Sequence, residues 1–130
     1  PLYCANPDKV VNIGESLHLC AGALGDMYED MGGTVHWYGK PYAPIYQQAF
    51  DLLNVQDSSR ILAVGDSLRT DVRGANKAGI DVLWNLVGIH WEELRHVNEH
   101  GERVAHPQRL SDSLSEYDAC PTALLRGLAW

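Results

Sequence analysis

Apolar side chains recur along the chain with two spacings, one typical of helices and one typical of buried strands. Over residues 16–31 they recur every three or four positions, which predicts a helix that ends at a glycine pair. A second helix is predicted from Pro44, and a third over 68–78 with Gly79 as its C-cap. The predicted buried face of the second helix consists of Ile45, Ala49, Leu52 and Leu53.

Short apolar runs between these helices predict strands, which lie at 34–38, 61–64 and 81–84. The run over 61–64 contains no polar residue, as expected of a strand that is buried on both faces of a parallel sheet. Strands that alternate with helices are typical of βαβ units with right-handed crossovers. The sequence therefore predicts an α/β fold, with a doubly wound parallel sheet flanked by helices.

The pattern becomes weaker after residue 88. Residues 90–100 look helical and polar, and 121–128 form a candidate final helix. His96 and His100 would share one helical face, a spacing that could bind zinc, but a solvated face is the commoner reason for such a pair. A length of 130 residues fits one domain or part of a larger one, so residues 1–130 are interpreted as a single unit.

Composition and charge exclude several classes of protein. Hydrophobic residues make up 45% and charged residues 21% of the chain, as in globular proteins and unlike disordered ones. The formal charge of -7 disfavours nonspecific binding to nucleic acid or anionic lipid. No apolar run approaches the roughly 20 residues that span a bilayer, so we expect no membrane association and a cytoplasmic location. Cys4, Cys20 and Cys120 are widely spaced and are interpreted as core thiols.

The strongest chemical signal is the segment Gly-Asp-Ser-Leu-Arg-Thr-Asp over 65–71, directly after an apolar strand. Ligands of open α/β sheets gather beyond the carboxyl ends of strands, which is where Asp66 lies. Asp66 and Asp71 could share one cation, and carboxylate oxygens with water are what Mg²⁺ prefers. The alternative is that Asp66 only caps the following helix, since Asp is a favoured N-cap residue.

The second signal is Lys40, between Gly39 and Pro41. The backbone is restricted there, and an ammonium group could offset the charge of a phosphoryl group in its transition state. Most lysines are solvated surface groups, so this tripeptide alone favours the surface interpretation.

In this order, Gly-Lys-Pro, a helix, a strand ending in 65–71, and Ala-Gly-Ile at 78–80 resemble the haloacid dehalogenase-like (HAD) hydrolases. Asn-Pro-Asp at 6–8 and the helix with Ala-Gly-Ala at 21–23 resemble class IIA, which contains p-nitrophenylphosphatase-like and nucleotide-phosphatase-like enzymes. The resemblance covers residues 2 to about 90. It implies a Rossmann-like sheet of the HAD type.

The resemblance also implies a role for each matching residue. Lys40 would bind phosphate and orient the nucleophile, Asp66 would coordinate Mg²⁺, and Asp71 would support the metal shell as a further catalytic and metal-site residue. A substrate-loop role, by ordering a loop or adding a hydrogen bond, falls to Asn6, Asp8 and Ser67. The implied cofactor is Mg²⁺, and the implied substrate is a small phosphorylated metabolite.

Part of the family pattern is absent from this sequence. The nucleophile and acid/base aspartates, spaced Asp-x-Asp after an N-terminal strand, are missing, as are the phosphate-binding Ser/Thr motif and the cap. We therefore interpret the chain as the C-terminal part of a HAD-like core domain without its N-terminal strands and cap. Such a chain is expected to be inactive alone, because an aspartyl-phosphate cannot form without that carboxylate. Its exposed sheet edge predicts self-association or pairing with the missing half.

Three functions are compatible with these observations. The first is the C-terminal portion of a Mg²⁺-dependent phosphatase for small phosphate monoesters, which acts through an aspartyl-phosphate intermediate in the complete enzyme. The second is a noncatalytic domain that binds a metal, a phosphate compound or a protein partner. A flavodoxin-like domain would share the sheet, but it explains neither Lys40 nor Asp71.

Overall fold

The computed structural model describes residues 1–14, 16–55 and 57–127. They fall into two compact units, residues 1–56 and 57–130. The interpretation of residues 1–130 as part of one core domain stays a prediction. In the part of the chain that is described, no helix has the length and apolar character needed to cross a membrane.

Unit 1 contains a small parallel sheet, a hairpin and two helices. In chain order its elements are β1 (Leu2–Cys4), β2 (Val10–Ile13), β3 (Ser16–Leu19), α1 (Ala21–Asp30), β4 (Val35–Trp37) and α2 (Ala43–Leu53). Strands β1 and β4 pair in parallel, and β2 and β3 form the antiparallel hairpin. The carboxyl ends of β1 and β4 therefore lie at the same edge of their sheet.

Unit 2 is built on a three-stranded parallel sheet with the order β5-β6-β9. Its elements are a 3-10 turn (Ser58–Arg60), β5 (Leu62–Gly65), a π-helical turn (Leu68–Val72), α3 (Arg73–Ala78), β6 (Asp81–Asn85), α4 (Trp91–Leu94), β7 (Arg95–Val97), β8 (Arg103–Ala105), α5 (Pro107–Glu116) and β9 (Ala123–Leu125). Strands β7 and β8 form an antiparallel hairpin. The predicted α/β class with a parallel, Rossmann-like sheet is confirmed.

The core of unit 2 lies where the π-helical turn and α3 pack on β5 and β6. Its largest fully buried side chains are Leu68, Val72, Val82, Trp84 and Leu94. Helix α3 ends at Gly79, which has a φ of 69° and is the predicted C-cap.

Three helix predictions are wrong in extent or type. The helix predicted over 16–31 begins at Ala21, because β3 pairs with β2 and the apolar spacing there fits a strand equally well. The helix predicted over 90–100 is limited to α4, since Arg95–Val97 pairs with β8. In place of the final helix, Ala123–Leu125 adds to the sheet beside β6. Residue 128, the end of that predicted helix, lies outside the described residues.

The structure adds helix α5, which the apolar spacing did not predict. Its N-cap is His106, whose Nδ1 accepts the N–H of Gln108 at 3.2 Å, in place of the usual Ser, Thr, Asp or Asn.

Burial also differs from the prediction on two elements. Strand β5 is covered on one face only, and the side chains of its open face, Leu62 and Val64, are 57% and 50% exposed. Helix α2 has no buried residue among those described in unit 1. Burial on both faces of a strand requires a packed layer on each side, and unit 2 supplies such a layer on only one side of β5. The core-thiol interpretation is confirmed for Cys4 and wrong for Cys120, which is exposed, while Cys20 is partly buried.

Candidate active site

The backbone and the side chain of Asp66 are held at three points. Asp66 follows β5 directly, and its N–H donates to Asp71 Oδ2 at 3.2 Å. Its carbonyl oxygen accepts the indole N–H of Trp84 at 2.9 Å. Its carboxylate oxygen Oδ2 accepts the backbone N–H of Ile89 at 2.8 Å. These contacts fix the direction of the carboxylate at the carboxyl end of the sheet, where open α/β folds bind ligands.

Asp71 is a buried carboxylate that organises this loop. Its Oδ2 accepts the N–H of Ser67 at 3.1 Å in addition to that of Asp66. Asp71 lies in the π-helical turn, where the N–H of Val72 reaches the carbonyl of Ser67 at 3.1 Å. π-Helical turns are rare and frequently occur at functional sites. The two aspartates are thus joined through the backbone of the loop.

Close packing at two glycines allows this arrangement. A Cβ on Gly65 would overlap the side chain of Asp71, and a Cβ on Gly88 would overlap the carboxylate of Asp66. Any larger residue at either position would push an aspartate away from its amide partners.

The alternative role of Asp66 as a helix cap is wrong. The N-cap of the π-helical turn is Ser67, whose hydroxyl oxygen accepts the N–H of Thr70 at 3.3 Å. The substrate-loop role of Ser67 stays a prediction.

The donor set around Asp66 fits a hard cation. Since Ile89 donates to Oδ2, Oδ1 is left for a further ligand. Among the described residues, no group of three or more His, Cys, Asp or Glu side chains could hold a metal ion. Structural zinc sites take four protein ligands, whereas Mg²⁺ is usually bound by one or two carboxylates, waters and substrate phosphate. Asp66 therefore offers one carboxylate oxygen to a divalent cation. Mg²⁺ itself stays a prediction, as does Asp71 as a direct ligand, whose Oδ2 already accepts two amides.

In unit 1, the predicted substrate-loop residues form a turn after β1. The side-chain oxygen of Asn6 accepts the N–H of Asp8 at 3.1 Å, and the carbonyl oxygen of Asp8 accepts the N–H of Gly22 at 3.0 Å. These contacts order the turn, and the substrate-loop role of Asn6 and Asp8 stays a prediction.

Lys40 is exposed and follows β4, at the sheet edge where the carboxyl ends of β1 and β4 lie. The preceding Gly39 packs so closely on Ala5 and Pro7 that a Cβ there would overlap both residues. Unit 1 therefore brings Lys40 together with the loop of Asn6 and Asp8, and unit 2 brings Asp66 together with Ser67 and Asp71.

The sequence reasoning missed the residues that anchor Asp66. Trp84 is a core side chain, and its indole N–H also donates to the Asp66 carbonyl. Gly88 and Ile89 were not singled out. The signal in the sequence was that both residues follow β6. Because β6 is parallel to β5, the loops after the two strands meet at the same end of the sheet.

Gly88→Ala should displace the Asp66 carboxylate and break its hydrogen bond with Ile89. We expect a loss of about 1–3 kcal/mol in unfolding free energy, the usual cost of overpacking. Thermal and urea unfolding would measure it. The matched control is Gly127→Ala, whose Cβ would meet only Val87 at 3.5 Å, an ordinary contact. Equal stability of both variants would contradict the close approach at Gly88.

Comparison with known proteins identifies related sequences and folds. Residues 37–117 match the family model described as HAD-hydrolase-like. The chain is 40% identical over 62 residues to 5-amino-6-(5-phospho-D-ribitylamino)uracil phosphatase YigB of Escherichia coli (strain K12), an alignment that covers 47% of this chain and 26% of that protein.

Solved structures give the same result. A haloacid dehalogenase-like hydrolase from Brucella suis 1330 superposes with a TM-score of 0.62 at 44% identity, over 68% of this chain and 36% of that one. A possible sugar phosphatase of the HAD superfamily from Cytophaga hutchinsonii superposes with a TM-score of 0.73 at 23% identity, over 98% of this chain and 41% of that one. A p-nitrophenyl phosphatase from Archaeoglobus fulgidus superposes with a TM-score of 0.67 at 22% identity, over 94% of this chain and 41% of that one. The chain spans about two fifths or less of the length of these proteins, and the last two show the likeness in fold alone.

Proposed function

Because this chain belongs to the HAD-hydrolase-like family, we propose that it supplies the metal-binding and phosphate-binding part of a phosphatase acting on small phosphate monoesters. The observation that carries the proposal is the anchoring of Asp66 by Asp71, Trp84 and Ile89 at the carboxyl end of β5. The phosphatase of Escherichia coli, to which the chain is 40% identical over 62 residues, supports the reaction class.

The proposal gives each group one task. Asp66 holds Mg²⁺ through its carboxylate, and Asp71 keeps the loop in the shape that presents it. Lys40 binds the phosphoryl oxygens as a cation, while Asn6 and Asp8 order the loop beside it. A bound Mg²⁺ would offset the negative charge of the phosphoryl group during transfer.

The attacking carboxylate is proposed to lie outside this chain, since no Asp-x-Asp sequence occurs in its 130 residues. An aspartyl-phosphate intermediate would form on that residue in the complete enzyme. The partner that provides the attacking carboxylate is a polypeptide packed beside β5. The open face of β5 exposes Leu62 and Val64. This chain alone therefore binds the cation and does not turn over substrate.

Hydrolysis of p-nitrophenyl phosphate, with Mg²⁺ or with EDTA, tests this division of the site. We expect no Mg²⁺-dependent turnover by the chain or by its Lys40→Ala and Asp66→Asn variants, and calorimetric binding of Mg²⁺ by the unaltered chain. Turnover that both substitutions abolish would mean that the chain holds its own nucleophile. Absence of Mg²⁺ binding would contradict the proposed function.

A chimera separates a phosphatase part from a noncatalytic binding domain. This chain replaces the matching segment of the Brucella suis hydrolase, to which it is 44% identical. Activity of the parent enzyme on p-nitrophenyl phosphate is the reference. A phosphatase part should retain it in the chimera and lose it with Asp66→Asn or Lys40→Ala, while the exposed control Lys77→Ala retains it. A folded, inactive chimera would favour the noncatalytic alternative.

A further inference from the structure

His90 is a buried polar residue that the proposed reaction does not use. The residue is 5% exposed, and its ring lies edge-on to Trp84 and Tyr117, with ring centroids 6.2 and 5.2 Å away. Its Nε2 accepts the backbone N–H of Leu68 at 3.2 Å. Buried histidines on a core face usually serve packing alone, but this one binds the loop that carries Asp66.

The hydrogen bond defines the form of the ring. Since Nε2 accepts the amide of Leu68, it carries no proton, and the neutral ring therefore has its proton on Nδ1. Nδ1 is buried, has no hydrogen-bond partner among the described residues, and lies 3.7 Å from Oε2 of Glu93. The ring also lies edge-on to Tyr117, and burial raises the pKa of that phenol.

Three consecutive backbone amides at the start of the π-helical turn each donate to a side chain. Asp71 accepts those of Asp66 and Ser67, and His90 accepts that of Leu68. The first amides of a helical segment have no partner within it, and Leu68 is fully buried, so water is not a substitute. His90 therefore completes the set of acceptors that Asp71 provides only in part.

The two residues that bind loop 66–68 from the far side, Ile89 and His90, are adjacent in the sequence. Ile89 donates its N–H to the Asp66 carboxylate, and the adjacent His90 accepts the amide two residues after Asp66. Loop 66–68 is thereby tied to residues 89–90 at two points, one on the carboxylate and one on the backbone.

We propose that His90 is a positioning residue, which holds loop 66–68 in the geometry that presents the Asp66 carboxylate. Its importance for phosphate chemistry rests on the proposed function, whereas its effect on the loop does not. The acceptor atom at Nε2 is the required feature, so a glutamine, whose side-chain oxygen reaches a similar position, should replace it partly. A phenylalanine should not, although it preserves the ring packing.

Amide hydrogen exchange of the full chain, measured by NMR, tests the proposal. In His90→Phe we expect the amides of Asp66, Ser67 and Leu68 to exchange roughly ten-fold faster or more, the effect of a buried donor without an acceptor. In His90→Gln most of the protection should return. The matched control is His96→Phe, which changes a partly buried histidine of unit 2 that also packs against another ring and should leave these amides unchanged.

Two further measurements make the result decisive. In the unaltered chain, a nitrogen–nitrogen scalar coupling between Leu68 N and His90 Nε2 should be detectable, and its absence would overturn the proposal even if His90→Phe fails to fold. Unchanged exchange at Asp66 and Ser67 in a folded His90→Phe, or no recovery in His90→Gln, would overturn it as well. Mg²⁺ titration of the unaltered chain separates the two ideas: no binding would contradict the proposed function and leave exchange to decide the role of His90.

Discussion

Replacing Asp66 by asparagine should remove Mg²⁺ binding while leaving the fold intact. Asparagine can still accept the N–H of Ile89 through its side-chain oxygen, and the backbone contacts of residue 66 with Asp71 and Trp84 do not depend on the side chain. The lost charge is what a hard cation requires. We expect affinity to fall by more than about 100-fold, since even groups that only support metal ligands contribute about 10- to 100-fold. Isothermal titration with Mg²⁺ and circular dichroism would measure both effects.

The control for this experiment is Asp112→Asn. Asp112 lies on α5, is exposed, and accepts a hydrogen bond from the side chain of Gln108. Its substitution removes the same charge from unit 2 without touching the loop of Asp66. An equal fall in affinity in both variants would indicate general electrostatic attraction and would contradict a specific site at Asp66.

Asp71→Ala should give the largest loss of stability among the site substitutions. It removes one buried carboxylate and leaves the N–H groups of Asp66 and Ser67 without an acceptor. An unsatisfied buried donor costs about 1–3 kcal/mol, so we expect a total of about 2–4 kcal/mol, with part of it recovered by water at the half-buried Asp66 and Ser67. Urea unfolding followed by tryptophan fluorescence would measure this loss.

Asp57→Ala is the matched control, because Asp57 also accepts two hydrogen bonds. Both come from Ser59, one from its N–H at 3.0 Å and one from its hydroxyl at 2.7 Å. These bonds lower the pKa of Asp57, but its carboxylate is exposed, so water can replace it as the acceptor. We expect a clearly smaller loss than for Asp71→Ala. Equal losses would mean that burial of Asp71 contributes nothing to the stability of the loop.

The positions of the candidate site residues relative to the strands were predictable from the sequence, whereas their chemical roles stay predictions. Asp66 follows an apolar run, and an apolar run of that length predicts a strand, which β5 is. A carboxylate at such a place is directed toward ligands whatever the rest of the chain does. Lys40 was predictable in the same way, as a cation after β4 between two residues that restrict the backbone.

Helices and strands were least predictable where local pattern and long-range pairing compete. Leu17 fits both helical and alternating spacing, and only its pairing opposite Asn12 makes it part of a strand. Residues 95–97 and 123–125 became strands for the same reason, through backbone bonds with residues that are distant in the sequence. Such pairing contributes hydrogen bonds that apolar periodicity does not record.

The sequence by itself determined the parallel α/β class, the place of the Asp66 loop and the family to which the chain belongs. Only the tertiary structure showed how Asp66 is held. Trp84, Gly88 and Ile89 contact it from the neighbouring strand and the loop after it, and His90 binds the amide of Leu68. The tertiary structure also decided that β5 is covered on one face alone. Motifs depend on residue type and spacing along the chain, whereas anchoring and burial depend on which segments meet in space, and that information is not local.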